Sequence, residues 1–214
     1  MKITEPKKPE SKKFSSFFGS FYISLADFRN LLNTFGGYGD DLKQRELYYI
    51  HPDFTMDPDE DTFFITHSSY HIIEAVSSEG KTMARFGVQP ENFRYADDQV
   101  VQTDTREERD QKNLHQSSSG PPHVTKDHFY FYYFNYTEEF FDTIDRSSRT
   151  YNPNTRNSYM AVYDNAEPYN YYGEAELPYT LLGATKNGKI YLLENDDPDN
   201  FTIAIYNLKV EATE

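Results

Sequence analysis

The residues best suited to chemistry are acidic and come in two short clusters. One is DPDED at 57–61 (Asp57, Asp59, Glu60, Asp61); the other is ENDDPD at 194–199 (Glu194, Asp196, Asp197, Asp199). Closely spaced carboxylates on a loop can supply several of the six to eight oxygens that calcium takes. Neither cluster follows the twelve-residue helix–loop–helix spacing or has its central glycine, so both read as exposed acidic turns. The six histidines are scattered. His67 and His71 are four apart, but the stretch between them reads as strand, turn and strand, which does not place both rings on one side. There is no HExxH and no cysteine, so no metal site is expected.

Catalytic patterns are equally thin. No GxSxG elbow and no GxGxxG is present, and FGGYGD at 35–40 follows a helix where a phosphate loop would follow a strand. Glu138 and Glu139 are adjacent and diverge on a strand. Glu174 and Glu176 share a face in the style of a glycosidase pair, a common coincidence in an acidic chain. No catalytic residue and no cofactor is expected.

Recognition is the richer prospect. Residues 128–136, HFYFYYFNY, carry seven aromatic rings in nine positions. On a strand, Phe129, Phe131, Tyr133 and Asn135 point one way, and His128, Tyr130, Tyr132, Phe134 and Tyr136 the other. A solvent-exposed row of rings forfeits several terms of about 1.5–3 kcal/mol each and invites aggregation. Cover for the tyrosine-rich side can come from this chain, from another subunit, or from a planar ligand such as a sugar. Tyr130, Tyr132, Phe134 and Tyr136 are therefore the interface or ligand candidates, joined by Lys7, Lys8, Lys12 and Lys13 of the basic N-terminal stretch.

These residues need a scaffold, and composition limits which. The 214 residues suffice for a core without disulfides. A formal charge of −14 opposes nucleic acid and anionic membranes as partners and favours cationic partners or ions. No stretch of 18 apolar residues occurs and no signal-peptide pattern follows the N-terminal lysines, so an intracellular, virion or organelle-complex location is expected. The sequons at Asn135 and Asn200 read as chance.

Organisation follows from texture. Residues 1–14 form a basic extended arm. Residues 15–96 form the first half of a β-rich domain with one helix, capped by Ser24, carrying Leu25, Phe28, Leu31, Leu32 and Phe35 on one face and stopped by Gly36 and Gly37. Strand-like runs follow at 46–50, 62–67, 70–76 and 82–88, with a tight turn at 78–80. Residues 97–126 form a long polar loop or linker in which SSSGPP resists regular structure. Residues 127–214 form the second half: the aromatic strand, a short helix opened by Thr137, and strands at 158–164, 169–177, 179–185, 189–195 and 201–212. Asn187-Gly188 predicts a two-residue hairpin turn. The fold class is mainly β, an antiparallel sandwich or partly closed barrel with one or two short accessory helices. The function expected is a non-enzymatic structural or assembly subunit of a complex or virion, homo- or hetero-oligomeric, contacting neighbours through arm, loop and Tyr-rich strand. The alternative is a β-sandwich binding module for a carbohydrate or small ligand stacked on tyrosines.

Overall fold

The computed structural model describes residues 52–57, 59, 61–68, 70–96, 104–144, 151–195 and 201–208, all within one compact unit spanning 35–214. The basic arm, the helix expected at 24–35 and the strand expected at 46–50 lie outside the described residues.

The fold is mainly β; among the described residues there are three antiparallel sheets and two short helices. Sheet I is a meander of β1 (Pro52–Asp57), β2 (Thr62–His67), β3 (Tyr70–Ser77) and β4 (Thr82–Phe86). Sheet II is built on β7 (His128–Asn135), which pairs on one edge with β5 (Ser117–Ser119) and β6 (His123–Val124). On its other edge come β8 (Asn157–Asp164) and β9 (Tyr171–Leu177). Sheet III contains β10 (Thr180–Ala184), β11 (Lys189–Asn195) and β12 (Thr202–Asn207). The helices are α1 (Arg106–His115) and α2 (Glu138–Thr143).

Sheet II is the middle layer. Phe129, Phe131 and Tyr133 of β7, with Tyr159, Ala161 and Tyr163 of β8, bury against Phe64, Ile73 and Ala75 of sheet I. The opposite face, Tyr130, Tyr132, Phe134, Met160 and Val162, buries against Leu181, Ile190 and Leu192 of sheet III. The layers stack as in a sandwich and do not close into a barrel. Between them, β6 touches both β1 and β10.

Within the segment expected as a loop, residues 104–126 hold α1, β5 and β6. Thr105 and Glu108 form a reciprocal capping box (Glu108 N to Thr105 Oγ1, 3.3 Å; Thr105 N to Glu108 Oε2, 2.6 Å) that starts α1. No α1 residue is buried, so no apolar periodicity announced the helix. The serine run is β5, whose small side chains fit beneath aromatic neighbours. A Cβ on Gly120 would lie 2.6 Å from the Tyr132 ring, so only glycine lets the chain pass there.

The hairpin at 185–189 also differs from the two-residue turn expected. Gly188 N donates to Thr185 O at 2.9 Å and Thr185 N to Lys189 O at 2.8 Å, and only Gly188 takes a positive φ (+80°). This is a three-residue connection with glycine in the left-handed position. The β3–β4 connection repeats it: Gly80 N to Ser77 O at 2.8 Å, Ser77 N to Lys81 O at 2.9 Å, Gly80 φ +82°.

Candidate functional site

The predicted recognition face is occupied by the chain itself. Tyr130, Tyr132 and Phe134 are at most 8% exposed, and their cover is sheet III. The Tyr132 hydroxyl sits 3.2 Å from Ser158 Oγ. The Arg156 guanidinium lies 4.0 Å over the Phe134 ring. Tyr136 is half-buried between Phe140 and Phe141 of α2, at 4.9 and 5.4 Å. Tyr130 and Tyr132 are walls of this core, and Tyr136 packs half-buried against it. Lys7, Lys8, Lys12 and Lys13 lie outside the described residues.

Asp57 and Asp59 of the first acidic cluster lace the sheets together. Asp57 Oδ1 accepts from Asp59 N (2.9 Å) and its Oδ2 from Asn165 Nδ2 (2.5 Å), which reaches from the β8–β9 connection of sheet II. Asp59 pairs with Lys186 of the sheet III hairpin, and Asp61 accepts from Ser78. In turn, Lys126 N donates to Lys186 O (2.8 Å). A polar circuit thus joins turns of all three sheets at one end of the stack. Among the described residues no group of three or more histidines and carboxylates is placed to hold a metal ion. Residues 196–199 of the second acidic cluster lie outside the described residues.

Of the glycosidase-style pair, Glu174 is taken up by hydrogen bonds within the chain. Glu174 accepts from the Tyr133 hydroxyl (2.7 Å) and from Asn92 Nδ2 (2.6 Å). Burial, then the bond to Glu174, pushes the Tyr133 hydroxyl far above its ordinary range. His71 is engaged through Nδ1 with the Tyr95 hydroxyl at 2.7 Å. Asn135 is buried, so its sequon is no glycan acceptor.

A cleft of about 390 Å³ opens at the same end of sheet II. The β6–β7 turn supplies Lys126, Asp127 and His128; the β8–β9 connection supplies Asp164, Asn165, Ala166 and Glu167; Tyr172 forms a wall. Thr125 staples the first turn by exchanging bonds with His128 (Thr125 N to His128 O, 2.8 Å; His128 N to Thr125 Oγ1, 3.0 Å). Asn165 locks the second to the first through Asp127 O (3.2 Å) and Thr125 O (3.1 Å). Its Oδ1 is buried with no hydrogen-bond partner.

The Asp164 carboxylate is held through both of its oxygens. Oδ1 accepts from the Tyr172 hydroxyl (2.7 Å) and Oδ2 from Asn170 Nδ2 (2.8 Å). The Tyr172 bond, chiefly, with those to Asn170 and the His128 charge, holds its pKa below the usual carboxylate range. The same bond raises the Tyr172 hydroxyl. The His128 ring lies parallel to Tyr130 (6.2 Å, 13°) and edge-on to Tyr172 (5.6 Å, 77°), so buried and open aromatics meet at this imidazole. Tyr172 remains 37% exposed.

Against known proteins the chain matches no family model and no curated relative. It is similar in fold to a solved structure. That is a crystal structure at 1.75 Å of a DUF4221 family member from Bacteroides vulgatus, with TM-score 0.47 and 9% identity. The similarity covers 74% of this chain and 46% of that one, so this chain spans about half of that protein's length. No helix among the described residues is long and apolar enough to cross a membrane.

Sequence reading passed over Asp164, Asn165 and Tyr172. The available signal was the polar Asp164–Asn165 step closing the apolar run Tyr159–Tyr163; the structure sets Asp164 opposite His128.

Proposed function

We propose that the chain is a ligand-binding β module that takes a small polyhydroxylated molecule, a monosaccharide or short oligosaccharide, in the cleft at the end of sheet II. The cleft volume falls within the range of small-molecule sites. Its planar acceptors, Asp127, Asp164 and Glu167, suit paired hydroxyls, Lys126 and His128 can donate, and the open Tyr172 ring offers an apolar surface to sugar C–H groups. The observation that carries the reading is Asp164, ionised and held in one orientation by Tyr172 and Asn170 at the cleft wall. This moves the ligand expected from the sequence off Tyr130, Tyr132 and Tyr136 and onto Tyr172.

The test is a saccharide panel (neutral hexoses, hexuronates, aminosugars) titrated into the full chain, followed by NMR and calorimetry. Binding by one class, weakened roughly tenfold or more by Asp164→Asn or Tyr172→Ala, supports the reading. Absence of binding at millimolar sugar, or binding indifferent to both substitutions, overturns it. A role as subunit of an assembly, homo- or hetero-oligomeric, is supported by a different surface, the apolar row on β12; no feature among the described residues singles out a virion.

A further inference from the structure

We infer, resting on the sugar-binding reading above and narrowing it, that the ligand of the cleft is a cation: an aminosugar whose amine is free and protonated. Several donors at the cleft wall are already engaged within the chain. The Tyr172 hydroxyl donates to Asp164 Oδ1 and the Asn170 amide to Oδ2. Asn165 Nδ2 is divided between Asp57 Oδ2 and the Thr125 carbonyl. The backbone N–H groups of Asn165 and His128 go to Asp127 O and Thr125 Oγ1. The side-chain donors left to a ligand are the Lys126 ammonium and the His128 ring.

Acceptors, by contrast, stand open. Asp127 and Glu167 are exposed, and their carboxylates have no hydrogen-bond or ion-pair partner among the described residues. Asn165 Oδ1, of the same lining, is buried without one. A hydroxyl seeks a donor for its oxygen as well as an acceptor for its proton, whereas an ammonium offers three donors and seeks none. A wall with acceptors to spare therefore suits the ammonium better. Charge points the same way. Three carboxylates against one lysine leave the lining with a formal charge of −2, His128 counted neutral, in a chain of −14. Cations are drawn to such a cleft and anions are kept from it. Tyr172 is bonded to Asp164 and partly open, so a cation attracted by that carboxylate also meets an aromatic face.

Calorimetric titration of the full chain with glucosamine, N-acetylglucosamine, glucose and glucuronate at pH 7 tests this. Acetylation removes the charge and keeps the ring. Glucosamine should bind roughly tenfold or more tighter than N-acetylglucosamine or glucose, with glucuronate the weakest of the four. Raising salt from about 20 to about 500 mM should shrink that preference several-fold. Replacing both open carboxylates (Asp127→Asn with Glu167→Gln) should bring the ratio of glucosamine to N-acetylglucosamine affinity down to about twofold, with thermal unfolding unchanged. Equal binding of the free and acetylated amine overturns the inference and leaves the sugar reading standing. So does tightest binding of glucuronate, or a ratio indifferent to the double substitution. Binding of none of the four at millimolar concentration overturns both.

Discussion

Asn135 closes β7 on its sheet I side and is among the most buried polar side chains described. Its Oδ1 accepts from Ser117 Oγ at 2.6 Å, and its Nδ2 donates to the Asn92 carbonyl at 3.0 Å. Ser117 Oγ in turn accepts from Arg94 N (2.8 Å), and the Asn92 side chain continues to Glu174 and Tyr133. One amide therefore ties β5, β7 and the segment 87–96 together. Truncating it by Asn135→Ala removes two hydrogen bonds and deprives a buried hydroxyl and a carbonyl of these partners. At about 1–2 kcal/mol for each group, the loss is about 2–4 kcal/mol, or roughly 5–15 °C in Tm for a domain of this size. Urea unfolding with a shared m-value measures the free energy. A cycle with Ser117→Ala should give a coupling of about 1 kcal/mol, and amide exchange in 87–96 should accelerate in the alanine variant alone. A loss below about 0.5 kcal/mol, additive with Ser117→Ala and without faster exchange, would refute this account of the network.

Two further outcomes separate other physical effects. Burial, then the nearby Arg85 charge, lowers the pKa of His67 from 6.5 to about 4; the unfolded chain therefore binds the extra proton first. Stability should fall as pH drops from 6.5 towards 4, by up to about 3 kcal/mol, and urea titrations of His67→Gln at pH 7 and pH 5 should show that part of the slope removed. Gly87 has φ +136° and a Cβ there would meet the His71 carbonyl at 2.5 Å, whereas Gly188 (φ +80°) faces open space. Gly87→Ala should cost about 3 kcal/mol or more and Gly188→Ala about 1 kcal/mol, compared by thermal unfolding; equal costs would show that the carbonyl gives way.

How much of this was legible in the sequence depends on the range of the interaction that decides it. Residues 62–67 and 189–195 were readable as strands to the residue, because alternation and flanking turns are local. The Thr137 cap was readable for the same reason, its Oγ1 accepting from Phe140 N at 3.1 Å. The helix α1 was not, since it packs no apolar stripe and only the Thr105–Glu108 box marked it. The aromatic run announced that it needed shelter on two sides. It could not say that the shelter begins some fifty residues later, at Leu181 and Ile190, because facing partners between stacked sheets leave no spacing signature. The cleft was invisible for a related reason: Asp127, Asp164 and Tyr172 meet through the β7–β8–β9 register.

Because β7 is roofed from both sides, its history during synthesis is constrained. Each meander can zip from contacts near in sequence, yet the central one keeps Tyr130, Tyr132 and Phe134 bare until β10 and β11 have left the ribosome. A chain halted near residue 178 would present that row to solvent and should be captured by chaperones or precipitate. Release of residues 180–195 then does for solubility what no earlier part of the polypeptide can.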